Sequence, residues 1–167
     1  MVEKDKVFSG KVKHGGIFDF KELYRFCYTY LVDEGYILTE KTYTEKVVAS
    51  GKDVEIDWMA TRKISDYFRF HLRIFWRILG MTTVEVESEG KKIKMNKSGN
   101  VEIIVTATLE KDYEGRWEGN AFYKFLRGLY DRYVIIGRID TYEGKIHSEA
   151  DEFLAQVKSF LSIEGMH

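Results

Sequence analysis

From Phe68 to Ile78 every second residue is apolar: Phe68, Phe70, Leu72, Ile74, Trp76 and Ile78. Between them stand Arg69, His71, Arg73, Phe75 and Arg77. A period of two over so many residues requires an extended strand, because successive side chains leave a strand on opposite sides. One side of this strand must be buried under other elements. The other side is cationic and faces water or a partner.

The same period runs through the middle of the chain. Residues 53–63 place Val54, Ile56, Trp58 and Ala60 on one side. Residues 37–49 are rich in Thr, Tyr and Val with neither side cleanly apolar, which reads as an edge strand. Val84 and Val86 predict a short strand, and Ile93 and Met95 another. Val101 to Leu109 predict a long last one. The stretches "ASGKD", "SEGKK" and "NKSGN" each carry a glycine suited to a hairpin turn. Short connections make neighbouring strands antiparallel.

The apolar positions of 53–63 and 67–79 are all even, so paired residues must have numbers with an even sum. A three-residue loop near Ser65 and Asp66 satisfies this. A sum of 130 sets Asp57 opposite Arg73 and Asp53 opposite Arg77; a sum of 132 sets Glu55 opposite Arg77. Either way the arginine side meets acids, and each such pair contributes about 0.2–1 kcal/mol.

Helical spacing flanks this region. Residues 5–13 predict a first strand, broken at Gly15-Gly16. A helix follows, with Asp19 as N-cap, Glu22 three residues on, and Gly35 at the left-handed C-terminal position. Its apolar stripe is Phe20, Leu23, Tyr24, Cys27, Tyr30 and Leu31. After residue 120, with Asn120 as a cap, a second helix carries Phe122, Leu126, Leu129, Tyr130 and Tyr133. Gly137 interrupts. A long C-terminal helix from about residue 139 to 163 then carries Ile139, Tyr142, Ile146, Ala150, Phe153, Val157 and Phe160. It would run roughly 38 Å at about 1.5 Å per residue. The predicted fold is one α+β domain spanning 1–167. An antiparallel meander of about six to seven strands packs against an N-terminal helix and a long C-terminal one.

Composition limits what such a domain does. At 44% hydrophobic and 15% aromatic, the chain has ample core material. A net charge of −1 argues against a protein that coats nucleic acid. The single cysteine, Cys27, forbids an intramolecular disulfide and suits a reducing compartment. No apolar run approaches bilayer length, and the first residues lack the apolar stretch of a signal peptide. A cytoplasmic protein is expected. The absence of proline leaves the turns to Gly, Asn, Asp and Ser.

Catalytic and metal motifs are missing. His14, His71, His147 and His167 are scattered, and no phosphate-binding glycine loop or nucleophile elbow occurs. No cofactor is expected and no catalytic set can be named. Glu110, Asp112, Glu114 and Glu118 cluster without calcium-loop spacing. Arg69, His71, Arg73 and Arg77, with Lys91, Lys92, Lys94 and Lys97 nearby, form an anion-binding candidate with Phe75 for stacking. Trp58, Phe70, Trp76, Tyr113, Trp117, Phe122 and Phe153 are candidates for lining a pocket between sheet and helices.

The order strand, helix, antiparallel strands, long C-terminal helix resembles the helix-grip arrangement of the START-like superfamily. The resemblance covers nearly the whole chain and rests on element order. It implies a curved sheet around the C-terminal helix, an apolar cavity between them, and binding of lipids, hormones or other apolar molecules; some members are cyclases. The helix near 120–136 is additional to that pattern, and a single helix stands where a short pair follows the first strand. The expected role is a non-catalytic binding protein for an apolar or amphipathic small molecule. A protein-interaction module using the C-terminal helix is the alternative. Binding of polyanion or single-stranded nucleic acid through the arginine side is the second.

Overall fold

A computed structural model describes residues 3–65, 67–111, 121–129 and 136–164. Five strands, β1 (Glu3–Phe18), β2 (Ile37–Val48), β3 (Gly51–Lys63), β4 (Phe68–Ser88) and β5 (Lys91–Lys111), form one antiparallel sheet in the order β1-β5-β4-β3-β2. Among the described residues, three helices accompany it: α1 (Phe20–Asp33), α2 (Ala121–Leu129) and α3 (Ile136–Glu164). Among the described residues, no helix is long and apolar enough to cross a membrane.

The strand count of six to seven is corrected to five, and the reason is local. The segments around 67–79 and 84–86 are one strand of 21 residues, and those around 93–95 and 101–109 are another. The glycine in "NKSGN" marks a bend inside β5 rather than a turn. Gly80 in β4 sits beside it with φ 63°. Ser98 Oγ donates to Leu79 O at 2.5 Å, and Asp53 Oδ1 accepts from Gly80 N–H at 2.9 Å. At this irregularity, side chains thus take over the pairing of backbone groups from the ladder. Beyond it, β4 and β5 continue as a two-stranded arm, with Glu85 opposite Lys94 and Glu87 opposite Lys92. Gly15-Gly16 behaves alike: it shifts the β1–β5 register between His14 and Gly16 without ending the strand.

β3 and β4 pair with a sum of 132, placing Glu55 opposite Arg77 and Ile56 opposite Trp76. Ile64 N–H donates to Phe68 O at 3.0 Å at the hairpin end. The apolar rows of β3, β4 and β5 all lie on one side of the sheet and are essentially fully buried.

Both long helices cover that side. α1 starts at Asp19, whose carboxylate accepts from Glu22 N–H at 3.1 Å. It ends in a Schellman motif, with Tyr36 N–H donating to Leu31 O and Gly35 N–H to Val32 O, each at 3.0 Å. Gly35 holds the required left-handed φ of 92°. Leu23, Cys27 and Leu31 point into the core. α3 begins at Ile136, so Gly137 lies inside the helix and does not interrupt it. Its buried residues Ile146, Ala150, Phe153, Val157 and Leu161 lie against β1, β5 and α1. Phe160 stacks on Phe26 of α1 at 5.0 Å. α2 covers Ala121–Leu129 of the expected 120–136 helix, and Asn120 and residues 130–135 lie outside the described residues.

Candidate functional site

Residues Phe20, Tyr24 and Tyr28 recur every fourth position along α1, so they share a side of the helix next to the buried stripe. That side overlooks β2, the last strand of the sheet. β2 has a bulge between Glu40 and Thr42. After it, Tyr43 pairs with Ile56, a core residue, so Tyr43 projects on the helix-bearing side. Because α1 does not extend over this edge, an open groove of about 720 Å³ remains between helix and strand. Phe20, Tyr24, Tyr28 and Tyr43 give it aromatic walls, with Lys21 and Arg25 on one flank and Glu45 on the other.

The groove backs onto the core. Tyr24 meets Trp58 edge-on at 5.0 Å and lies 6.1 Å from Trp76. Trp58 and Trp76 are themselves 5.0 Å apart and T-shaped. Glu40 Oε1 accepts from Tyr24 Oη at 2.8 Å and from Trp58 Nε1 at 3.2 Å, holding the ring that forms the groove's back wall. Burial pushes the Tyr24 phenol up to about 12, and the hydrogen bond and charge of Glu40 add to the shift. Tyr43 donates to Glu45 Oε1 at 2.8 Å and is also raised, by burial first and Glu45 second. Both phenols are therefore neutral hydrogen-bonding groups at pH 7, with their acceptors already chosen.

A smaller cavity of about 300 Å³ lies between the end of α1 and α3. Arg62 organises its rim. Its Nη2 donates to Glu149 Oε1 at 2.6 Å and its Nη1 to Glu34 O at 2.7 Å. Glu149 Oε2 accepts from Tyr36 Oη at 2.7 Å, and burial foremost raises the Tyr36 phenol. The guanidinium lies over the Tyr36 and Phe70 rings at 4.9 and 5.2 Å. These contacts tie α1, β3 and α3 together and engage both terminal nitrogens of Arg62 in structure.

The five described residues among the seven pocket candidates do not converge on one cavity. Trp58, Phe70, Trp76 and Phe153 are fully buried members of a single core cluster. Phe122 is 64% exposed on α2. Tyr113 and Trp117 lie outside the described residues. The missed residues are Tyr28 and Tyr43, together with the role of Phe20 and Tyr24. For those on α1 the signal was the 20–24–28 spacing running beside the 23–27–31 stripe.

The arginine side faces away from the helices. Arg69 Nε donates to the buried Glu110 at 2.5 Å. Arg73 grips Asp57 with two bonds of 3.0 and 3.2 Å and lies 5.5 Å from the Phe75 ring centre. Asp57 is diagonal to Arg73 rather than opposite it, since the sum of 132 places Phe75 there. Arg77 is flanked in register by Glu55 and Glu102. His71 is half-buried beside Thr61 and Thr108, and burial lowers its pKa. The C-terminal stripe that a partner helix would use is turned onto the chain's own sheet. Burial raises the Cys27 thiol, as suits a core residue. Among the described residues, no cluster of three or more His, Cys, Asp or Glu could hold a metal.

No family model, no curated protein and no solved structure matches the chain.

Proposed function

We propose that this protein is a non-catalytic binding protein for an amphipathic small molecule seated in the groove between α1 and β2. The carrying observation is that volume of about 720 Å³, walled by four aromatic rings and flanked by Lys21 and Arg25. Its size falls within the 300–1,000 Å³ range typical of small-molecule sites. A flat apolar body would lie along Tyr24, Tyr28 and Tyr43. An acidic head group would meet Lys21 and Arg25. Tyr24 is backed by two buried tryptophans, so the wall is formed before a ligand arrives, and little ordering opposes binding.

The order β1, α1, four more strands, α2 and a long α3 is similar to the helix-grip sequence of elements apart from the additional α2, a likeness of architecture alone. The seat differs from that arrangement: it is at the sheet's edge under α1, not between the sheet and α3. The polyanion reading has less support, since Arg69 and Arg73 already hold carboxylates.

Anilinonaphthalene sulfonate, an aromatic body with one anionic group, is a suitable probe. Titrated into the labelled protein, it should shift amide NMR signals of residues 20–28 and 43–45. Tyr28→Ala and Tyr43→Ala should each weaken it about tenfold, the loss of one good aromatic contact. Shifts confined to other surfaces, or none at millimolar probe, would reject the groove.

A further inference from the structure

β2 ends the sheet, and its outward backbone edge meets no other strand among the described residues. Such an edge is a template for strand addition unless something blunts it. The opposite edge, β1, is blunted: it carries two register shifts and the lysines Lys4, Lys6, Lys11 and Lys13. β2 is not. It runs twelve residues, is exposed over nearly its whole length, and carries Ile37 (72% exposed), Tyr43 (40%) and Val47 (80%). These are large apolar side chains on a strand whose other residues are mostly Thr, Glu and Lys.

We propose that β2 pairs antiparallel with β2 of a second copy of this chain, about a two-fold axis at Tyr43. The sequence of the strand, "ILTEKTYTEKVV", complements itself in this register. Tyr43 meets the partner's Tyr43, and Thr42 meets the partner's Thr44. The bulge at Lys41 then drops one residue from the count on each side. Beyond it, Leu38 falls opposite the partner's Val47, and Ile37 opposite the partner's Val48. Each pair lies on a common side of the sheet, as the pairing of β2 with β3 shows. Leu38 and Val47 oppose Ala60 and Lys52, while Ile37 and Val48 oppose Thr61 and Gly51. Glu40 and Lys41 together face the partner's Glu45. Glu40 accepts from Tyr24 and Trp58, and Glu45 has its counter-charge in Lys52 of its own chain at 3.7 Å. Apolar residues thus meet apolar ones, and threonine meets threonine.

The pairing joins two five-stranded sheets into one of ten. It also places the partner's Tyr43 beside the groove under α1, so two grooves meet across the axis. The dimer depends on the strand and requires no ligand in that groove.

Sedimentation velocity over a concentration series should show a dimer of twice the chain mass that dissociates on dilution. Val47→Lys, at a residue 80% exposed and so without consequence for folding, should raise the dissociation constant about tenfold or more, since the two-fold axis applies it twice. Tyr43→Cys should give a disulfide-linked dimer under mild oxidation, because facing strand residues lie within bridging distance. Lys91→Cys, at the tip of the β4–β5 arm, should not. A monomer up to several hundred micromolar with no Tyr43→Cys cross-link would overturn the proposal. So would a dimer unaffected by Val47→Lys and not trapped by Tyr43→Cys, which would put the interface elsewhere.

Discussion

Arg62 shows how one side chain can connect three elements. It is only 17% exposed, and its charge is balanced by Glu149 while its plane rests on two aromatic rings. Removing the carboxylate would leave a half-buried cation without its counter-charge and the Tyr36 hydroxyl without its acceptor. Glu149→Ala should therefore destabilise the fold by about 2 kcal/mol, less than for a fully buried pair because water reaches the site. Glu149→Gln keeps an acceptor in place and should cost about half as much. Urea unfolding of the two variants measures both. If their losses are equal, Glu149 acts by packing rather than by holding Arg62 and Tyr36. Arg62 itself had no distinguishing signal in the sequence, because its partners are 28 and 87 residues away.

Glycines shape the strands more than the turns. Gly51 opens β3 with φ 136°, and a Cβ there would come within 2.5 Å of Met81 O, which is backbone and cannot yield. Gly51→Ala should cost about 3 kcal/mol, combining left-handed strain with a steric clash. Gly90, at the tip of the β4–β5 arm, has φ 76° but open space around it. Gly90→Ala should cost only about 1 kcal/mol, the strain alone. Melting curves of the two variants should separate widely; similar losses would show that the bend beside Gly80 is soft. The same elements show where a strand pattern misleads. A glycine between two apolar alternations looks identical whether the chain reverses or bends. Only the pairing of β4 with β5, which resumes beyond Gly80 and Gly99, distinguishes the two.

At the scale of the whole molecule, the sheet has one side for packing and one for charge, and the charged side sets the response to pH. Half-burial depresses the pKa of His71 below its ordinary value near 6.5, and Lys4, Arg69 and Lys41 lower it further against the opposing pull of Glu110. The unfolded chain then binds a proton more readily than the folded one. Stability is full above about pH 6.5 and falls as the pH drops through that value toward the lower folded pKa. The midpoint of thermal unfolding should decline between pH 7.5 and 5.5, and His71→Gln should flatten that part of the curve. An unchanged slope in the variant would assign the decline to another group.

The alternation of Phe68–Ile78 and its counterparts in β3 and β5 determined the buried side of the sheet, the antiparallel pairing and the positions of α1 and α3. Side-chain period and helix caps are local properties, written within a few residues of each other. The even-sum rule carried this one step further and found the β3–β4 register to within one alternative. What the chain's order could not determine was which aromatic residues would be covered. Trp58 and Tyr24 look equally apt for a pocket in the sequence. One is sealed beneath α1, and the other lines the groove because the helix stops short of β2. That outcome depends on where a helix lies across a sheet, a distance between segments far apart in the chain, and only the packed structure holds it.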